Sequence, residues 1–194
     1  RLGGHEPYGI SKAAAELVTE VYQSPGFHRA AGSAAAPRVV TARAGNVIGG
    51  GDWAADRLIP DFVRAITLGR DQIIRQPRAT RPWQHVLEPL GGYLLFGARL
   101  LAGDTLPPAL NFGPAEGQMP DVEEVAHRFV VAMAPTQTRV IVQEDPHSGE
   151  AATLRVDSSL ALRHLGWFAA WPARRAIAET GTWYAQHRAG ADMR

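Results

Sequence analysis

Hydrophobic and polar positions along the chain follow both a helical and a strand-like period, which predicts a mixed α/β protein. A first apolar stripe recurs every three or four residues, as on one face of an α-helix: Ile10, Ala14, Leu17, Val18 and Val21. The segment 38–42, with three β-branched residues in a row, then predicts a buried strand, and it leads into a glycine-rich turn at 45–51. The chain is therefore expected to open with a helix, a loop, a strand and a turn.

The same alternation continues to the end of the sequence. Short strands are predicted at 72–75, 83–86, 110–112 and 139–143. Helices are predicted from near Pro60 to just before Gly69, and at 89–101, 121–133, 158–165 and 172–187. Asp121, followed three residues later by Glu124, predicts a capping box at the start of its helix. Strands that alternate with helices are typical of α/β folds with parallel sheets. A dinucleotide-binding fold begins with a strand, a glycine-rich turn and a helix, and this sequence lacks that opening.

The glycine-rich turn is a first candidate for chemistry. Gly45 and the run 49–51 follow a predicted strand, where glycines often cradle a phosphate. Their spacing does not fit G-x-G-x-x-G, however, and no Lys-Ser or Lys-Thr follows as in a P-loop. A tight backbone turn beside a ligand is the favoured interpretation, with Asn46 as its polar group.

Tyr8 and Lys12 form the second candidate. Their i, i+4 spacing puts a phenol and an ammonium one turn apart on the same helical face. A positive charge beside a phenol favours the phenolate, which makes a tyrosine a general base for an alcohol being oxidised. Two common residues at a fixed spacing also arise by chance, so a surface tyrosine packed on a lysine stem is the alternative.

Composition excludes several classes of function. The 194 residues carry a net charge of +1, which gives no electrostatic case for nucleic acid or an anionic membrane. The absence of cysteine excludes disulfides, thiolate metal sites and cysteine nucleophiles. No apolar run reaches the roughly 18 residues of a membrane span, and no signal-peptide core is present, so a cytoplasmic location is expected. The seven histidines are scattered without ligand spacing, so no metal site is expected.

The sequence resembles the extended short-chain dehydrogenase/reductases that act on nucleotide sugars, the NAD-dependent epimerase/dehydratase family. The segments that carry the resemblance are 3–16, 43–54, 56–61, 81–90, 111–114 and 165–167. Two of them, Gly-Gly-Gly-Asp-Trp at 49–53 and Arg-Pro-Trp-Gln-His-Val at 81–86, are more specific than Tyr-x-x-x-Lys. Within the family they resemble the 4,6-dehydratases of CDP-glucose rather than relatives that use dTDP- or GDP-sugars.

The resemblance implies a role for individual residues. Tyr8 would take the proton of the sugar C4 hydroxyl, and Lys12 would bind the nicotinamide ribose and support Tyr8. The nicotinamide would face the backbone at Ala44 and Gly45. The remaining implied residues would bind the nucleotide sugar: Asn46, Arg57, Leu58, Arg81, Asn111, His147 and Glu150.

Several of these residues could instead have a purely structural role. Arg81 could stack on the indole of Trp83, and Asn111 could cap a turn after its strand. His85 is expected to be a structural histidine, while Trp83 and Trp167 are expected in core or interface packing.

The resemblance also implies a fold, a cofactor and a reaction. Residues 1–52 would be the last part of an incomplete, doubly wound Rossmann domain, and 53–194 mainly a smaller mixed α/β lobe that binds the nucleotide sugar, with some segments returning to the Rossmann part. NAD would accept hydride from C4, water would leave across C5 and C6, and hydride would return to C6, a lyase reaction of deoxysugar and O-antigen or lipopolysaccharide biosynthesis. The groups that act at C5 and C6 would lie before Tyr8, so the chain alone is expected to be inactive.

Three other functions remain open at this point. The chain could be part of another nucleotide-sugar epimerase or dehydratase, because the residues that act at C5 and C6 would lie before Tyr8. It could also be a non-catalytic nucleotide-sugar-binding remnant, or have a purely structural or assembly role. A homodimer through the helix of Tyr8 and Lys12 is expected from the resemblance alone.

Overall fold

A computed structural model of the chain describes residues 6–24, 26, 38–114, 117, 119–134, 138–145 and 152–193. In chain order the described elements are α1 (Pro7–Gln23), β1 (Thr41–Ala44), β2 (Val47–Ile48), α2 (Leu58–Thr67), β3 (Gln72–Ile74), β4 (Gln84–His85), α3 (Leu87–Leu101), β5 (Ala109–Phe112), α4 (Val122–Met133), β6 (Val140–Val142), α5 (Ser159–Leu165) and α6 (Ala173–Arg188). The predicted α/β class is therefore confirmed. In this part of the chain, none of the helices is long and apolar enough to cross a bilayer.

All the described strand pairs are parallel. β1 pairs with β5, β2 with β4, and β3 with β6. The buried amide of Gln84 joins two of these pairs, because its Nε2 donates to the carbonyl of Phe112 over 2.7 Å. Parallel strands place their carboxyl ends at one edge, and that edge is where α/β folds bind ligands.

Two apolar clusters form the core. The larger joins α2, α4 and α6, where the rings of Phe62 and Phe129 lie 6.4 Å apart and those of Phe129 and Tyr184 lie 6.1 Å apart. The smaller surrounds Phe112 on β5, whose ring meets Trp167 edge-on at 4.9 Å. Trp167 and Trp83 are buried, as predicted.

Two predicted boundaries were wrong. The strand expected at 38–42 runs from Thr41 to Ala44 and is not buried. Its ladder starts where Thr41 donates to the carbonyl of Pro108, because two prolines precede β5 and cannot donate to residues further back. The helix expected to begin at Pro89 begins at Leu87, and Pro89 is tolerated in its first turn because N–H groups there have no helical acceptor.

Candidate functional site

The start of α1 fixes where Tyr8 and Lys12 lie. Pro7 occupies the first turn, and the carboxylate of Glu6 accepts hydrogen bonds from the N–H groups of Tyr8 and Gly9 over 2.9 and 2.5 Å. Lys12 Nζ lies 5.4 Å from the centre of the Tyr8 ring, which is cation–π distance. The structure thus brings the pair together, with the ammonium over the face of the ring.

A cleft of about 990 Å³ lies at the carboxyl ends of several strands. Its lining includes these predicted site residues, which come from α1, the turn after β1, the start of α2 and the segment before β4: Tyr8, Asn46, Arg57, Leu58 and Arg81. Residues from distant parts of the sequence therefore meet in a single cleft that is large enough for a small-molecule ligand.

Other predicted site residues do not line this cleft. Lys12, Ala44, Gly45 and Asn111 are absent from its lining, while His147 and Glu150 lie outside the described residues. Asn111 accepts a hydrogen bond from Arg43 over 3.3 Å, and its own Nδ2 donates to a backbone carbonyl. Its amide thus has structural partners already, and its role towards substrate stays a prediction.

The guanidinium groups of the cleft are held differently. Arg57 Nη1 lies 3.0 Å from Asp52 Oδ2, and Asp52 also accepts a hydrogen bond from the N–H of Ala54. Arg81 Nη1 donates to the carbonyl of Thr80 over 3.0 Å. A guanidinium group presents N–H donors in planar pairs, a geometry that suits the oxygens of a phosphate.

The loop that supports Arg57 is strained at one residue. Asp56 has φ 60°, the left-handed region that a residue with a side chain seldom adopts. Strain of this kind is concentrated at functional sites, and here it lies next to a residue of the cleft.

Sequence reasoning missed Arg75 and Asp145, which also line the cleft. Arg75 directly follows β3, and Asp145 lies just beyond β6, where its N–H donates to the carbonyl of Arg75 over 3.0 Å. Both strands had been predicted, so the rule that ligands bind at the carboxyl ends of parallel strands could have found both residues.

The glycine-rich turn serves close packing. A Cβ on Gly50 would lie 2.0 Å from Cδ2 of Trp183, and one on Gly49 would lie 2.7 Å from a methyl group of Val86. Gly45 is equally tight against Pro82, at 2.6 Å. These glycines let the chain pass against side chains, so the expectation of a tight turn fits better than a phosphate cradle.

His85 is held by structural contacts. Its Nδ1 accepts a hydrogen bond from the N–H of Leu87, and its ring lies 5.0 Å from that of Trp171. Burial lowers the pKa of His85, with smaller opposing effects of Glu179 and Glu88. This environment agrees with the structural role expected for it. Among the described residues, no cluster of acidic or histidine side chains is placed to hold a metal ion.

Comparison with known proteins supports the resemblance. The chain is 38% identical over 193 residues to the CDP-glucose 4,6-dehydratase of Salmonella typhimurium strain LT2, and the match covers 99% of this chain. It spans 54% of that relative's length. No protein-family profile matches the chain. The predicted similarity to this group of dehydratases is thus confirmed in sequence.

Solved structures confirm the fold. The dTDP-glucose 4,6-dehydratase of Bacillus anthracis, in complex with NAD, superposes with a TM-score of 0.72 at 17% identity, covering 97% of this chain and 55% of that one. The UDP-glucose 4-epimerase of Thermotoga maritima also gives 0.72, at 18% identity, and covers 94% of this chain and 54% of that one. The chain shares the Rossmann-type α/β fold of these structures.

Proposed function

We propose that this chain is part of an NAD-dependent dehydratase that converts CDP-glucose to CDP-4-dehydro-6-deoxyglucose. The observation that carries the proposal is the cleft, which brings Tyr8 together with Asn46 and the guanidinium groups of Arg57 and Arg81. The 38% identity to a CDP-glucose 4,6-dehydratase supports the choice of substrate.

Binding of the sugar nucleotide would rest on the arginines. A diphosphate offers several anionic oxygens, and planar guanidinium groups donate to such oxygens in pairs. Arg57 and Arg81 reach the cleft from different segments, and Arg75 adds a third cation to its lining. Asn46 would hydrogen-bond the sugar or the diphosphate through its amide.

Catalysis at C4 would begin with Tyr8. In its phenolate form it accepts the proton of the C4 hydroxyl as the carbinol carbon is oxidised. Lys12, whose ammonium lies over the Tyr8 ring, would add a donor for a ribose hydroxyl. The ketone at C4 makes the C5 proton more acidic, which prepares the loss of the C6 hydroxyl as water.

The described residues fit one end of the cofactor. A phenol and an ammonium meet beside the cleft and suit a nicotinamide ribose, whereas Gly49 and Gly50 pack closely against the side chains of Val86 and Trp183 and do not form a cradle for its diphosphate. When bound, NAD supplies the acceptor for the C4 hydride and returns that hydride at C6.

Several finer points belong to the same proposal. The chain alone would bind CDP-glucose without completing turnover, since the resemblance assigns the acid and base at C5 and C6 to residues before Tyr8. The working enzyme would be a cytoplasmic homodimer, joined through α1, and would act in deoxysugar and O-antigen synthesis.

Thermal shifts of the purified chain test the proposal. CDP-glucose should raise the melting temperature more than UDP-glucose or dTDP-glucose do, and NAD+ should be tried with each, because a ligand that binds only the native state stabilises it. Arg81→Gln should abolish the shift, whereas the matched Arg128→Gln on α4, outside the cleft lining, should retain it. Equal shifts with all three sugars would contradict the base preference. A cooperative melt with no shift would contradict nucleotide-sugar binding.

A further inference from the structure

Helix α1 has an unusual attachment to the rest of the described chain. None of its residues is buried, so apolar burial does little to fix its position. The residues of intermediate exposure lie three or four apart and mark the face towards the body: Gly9, Ala13, Glu16, Thr19 and Gln23. That face is small or polar, so polar contacts have to hold the helix.

The central contact is an ion pair between Glu16 and Arg43. Arg43 Nε donates to Glu16 Oε1 over 2.7 Å, and Nη2 donates to Oε2 over 2.5 Å, which is the two-point geometry of the strongest arginine–carboxylate pairs. The Glu16 side chain is only 16% exposed. Hydrogen bonding to Arg43 lowers the pKa of Glu16, with a smaller contribution from Thr41, so the carboxylate is charged at neutral pH.

Arg43 connects this helix to the cleft. It lies on β1 opposite Asn111 of β5, and its remaining Nη1 donates to the Asn111 side chain. Asn46, which lines the cleft, follows Arg43 by three residues along the same strand and turn. On the other side of the pair, Glu16 lies two helical turns from Tyr8 and one from Lys12 on the same face of α1.

We propose that the Glu16–Arg43 pair is a positioning device that sets the helix of Tyr8 and Lys12 against the strand that leads to Asn46. Neither Glu16 nor Arg43 lines the cleft. The pair fixes the position of α1 relative to β1 and the turn that follows, which carry Tyr8 and Asn46. The functional part of this proposal rests on the proposed function.

A double-mutant cycle on the whole chain tests the pair without requiring activity. Hydrogen exchange is measured for the amides of α1 in the wild type, Glu16→Gln, Arg43→Gln and the double variant. Either single change should lower the protection of α1 roughly three- to tenfold, and the double variant should be little worse, because partners in one contact are not additive. Arg128→Gln, which breaks an exposed pair with Glu124 on α4, is the matched control and should leave α1 unchanged.

A second readout separates positioning from simple stability. CDP-glucose with NAD+ should raise the protection of α1 in the wild type and in Arg128→Gln, whereas the rise should be smaller in Arg43→Gln, because α1 is no longer held against the strand that leads to Asn46. Additive effects of the two single changes on α1, or effects no larger than those of Arg128→Gln, would overturn the proposal. If the wild type does not respond to CDP-glucose, the proposed function fails, while the cycle on the free chain still decides whether the pair holds the helix.

Discussion

Helices α1 and α4 begin in the same way, but the apolar face of α1 is exposed and that of α4 is buried. Each starts with an acidic side chain that accepts a hydrogen bond from the first turn, Glu6 in α1 and Asp121 in α4. Each also carries an apolar stripe at helical spacing. In α4 the stripe is buried, with Val125 and Phe129 fully inaccessible, whereas Leu17 in α1 is 55% exposed.

The difference shows what an amphipathic pattern specifies. The pattern produces a helix and a face that gains from burial, but it does not say which surface will bury it. For α4 the partners are α2 and α6 within the described chain. The apolar face of α1 has no partner among the described residues, and its polar face carries the contacts that hold it. Helix α4 is therefore held by apolar burial, and α1 by polar contacts.

Core truncation should produce the largest contrast between the two helices. Phe129→Ala removes a ring that packs against Phe62 and Tyr184, so it should lower the free energy of unfolding by about 3–5 kcal/mol. Leu17→Ala, at an exposed position of α1, should cost no more than about 0.5 kcal/mol. Urea unfolding of both variants measures this. Similar losses would mean that a second copy of the chain covers α1 in solution, and the loss at Leu17 would then depend on protein concentration.

Two glycine-to-alanine substitutions should differ less in their effect on stability, one at a closely packed position and one at an open position. Gly50→Ala would force a methyl group into the indole ring of Trp183 on α6, so it should lower the free energy of unfolding by about 1–3 kcal/mol. Gly97→Ala, inside α3 with no atom within 4 Å of the new Cβ, should stabilise by about 0.5–1 kcal/mol. Thermal melts of the two variants should therefore move in opposite directions. A loss at Gly97 would show that the open side of α3 is covered in solution.

Local signals made much of the fold predictable from the sequence. The acidic cap at Asp121 accepts from the N–H of Glu124 as expected, although the Glu124 side chain pairs with Arg128 and does not complete the capping box. Gly166 ends α5 in the left-handed conformation that a helix stop requires. Such signals act within a few residues, so single-sequence reasoning detects them.

The candidate site was predictable only where a motif marked it. Tyr8 and Lys12 are four residues apart, and their contact follows from helix geometry. The Glu16–Arg43 pair joins positions 27 residues apart, and no periodicity relates a helix position to a strand position. The strand at 38–42 was misplaced for a similar reason, because its start depends on prolines before β5 that lie far along the chain.

Removal of the Tyr184 hydroxyl should weaken the attachment of one cleft-lining loop, with a moderate effect on stability. The buried Tyr184 hydroxyl donates to the carbonyl of Asp52 over 2.6 Å and so ties α6 to the loop that carries Arg57. Tyr184→Phe should cost about 1 kcal/mol in unfolding free energy and weaken CDP-glucose binding without changing α1. Unchanged binding would show that the loop does not need this tie.

Tyr184 should also make the free energy of unfolding depend on pH in the alkaline range. Burial raises the pKa of Tyr184 from 10.0 to about 12, so the neutral phenol is favoured in the folded state. Its contribution to stability is complete below pH 10 and declines as the pH rises towards about 12. Unfolding free energies measured across that range should fall less steeply in Tyr184→Phe than in the wild type. Parallel pH profiles would contradict the assignment.

The smallest effect should appear in α1 under acid. Because Arg43 lowers the pKa of Glu16, the carboxylate contributes stability above its ordinary value of 4.5, and that contribution is lost as the pH falls through the lowered value. Protection factors for α1 amides should therefore drop below about pH 4.5, before those of α4, whose attachment is apolar. Glu16→Gln should start at the lower protection and remove this dependence on pH. Simultaneous loss of α1 and α4 in the wild type would place both helices in one cooperative unit and contradict a separate polar attachment for α1.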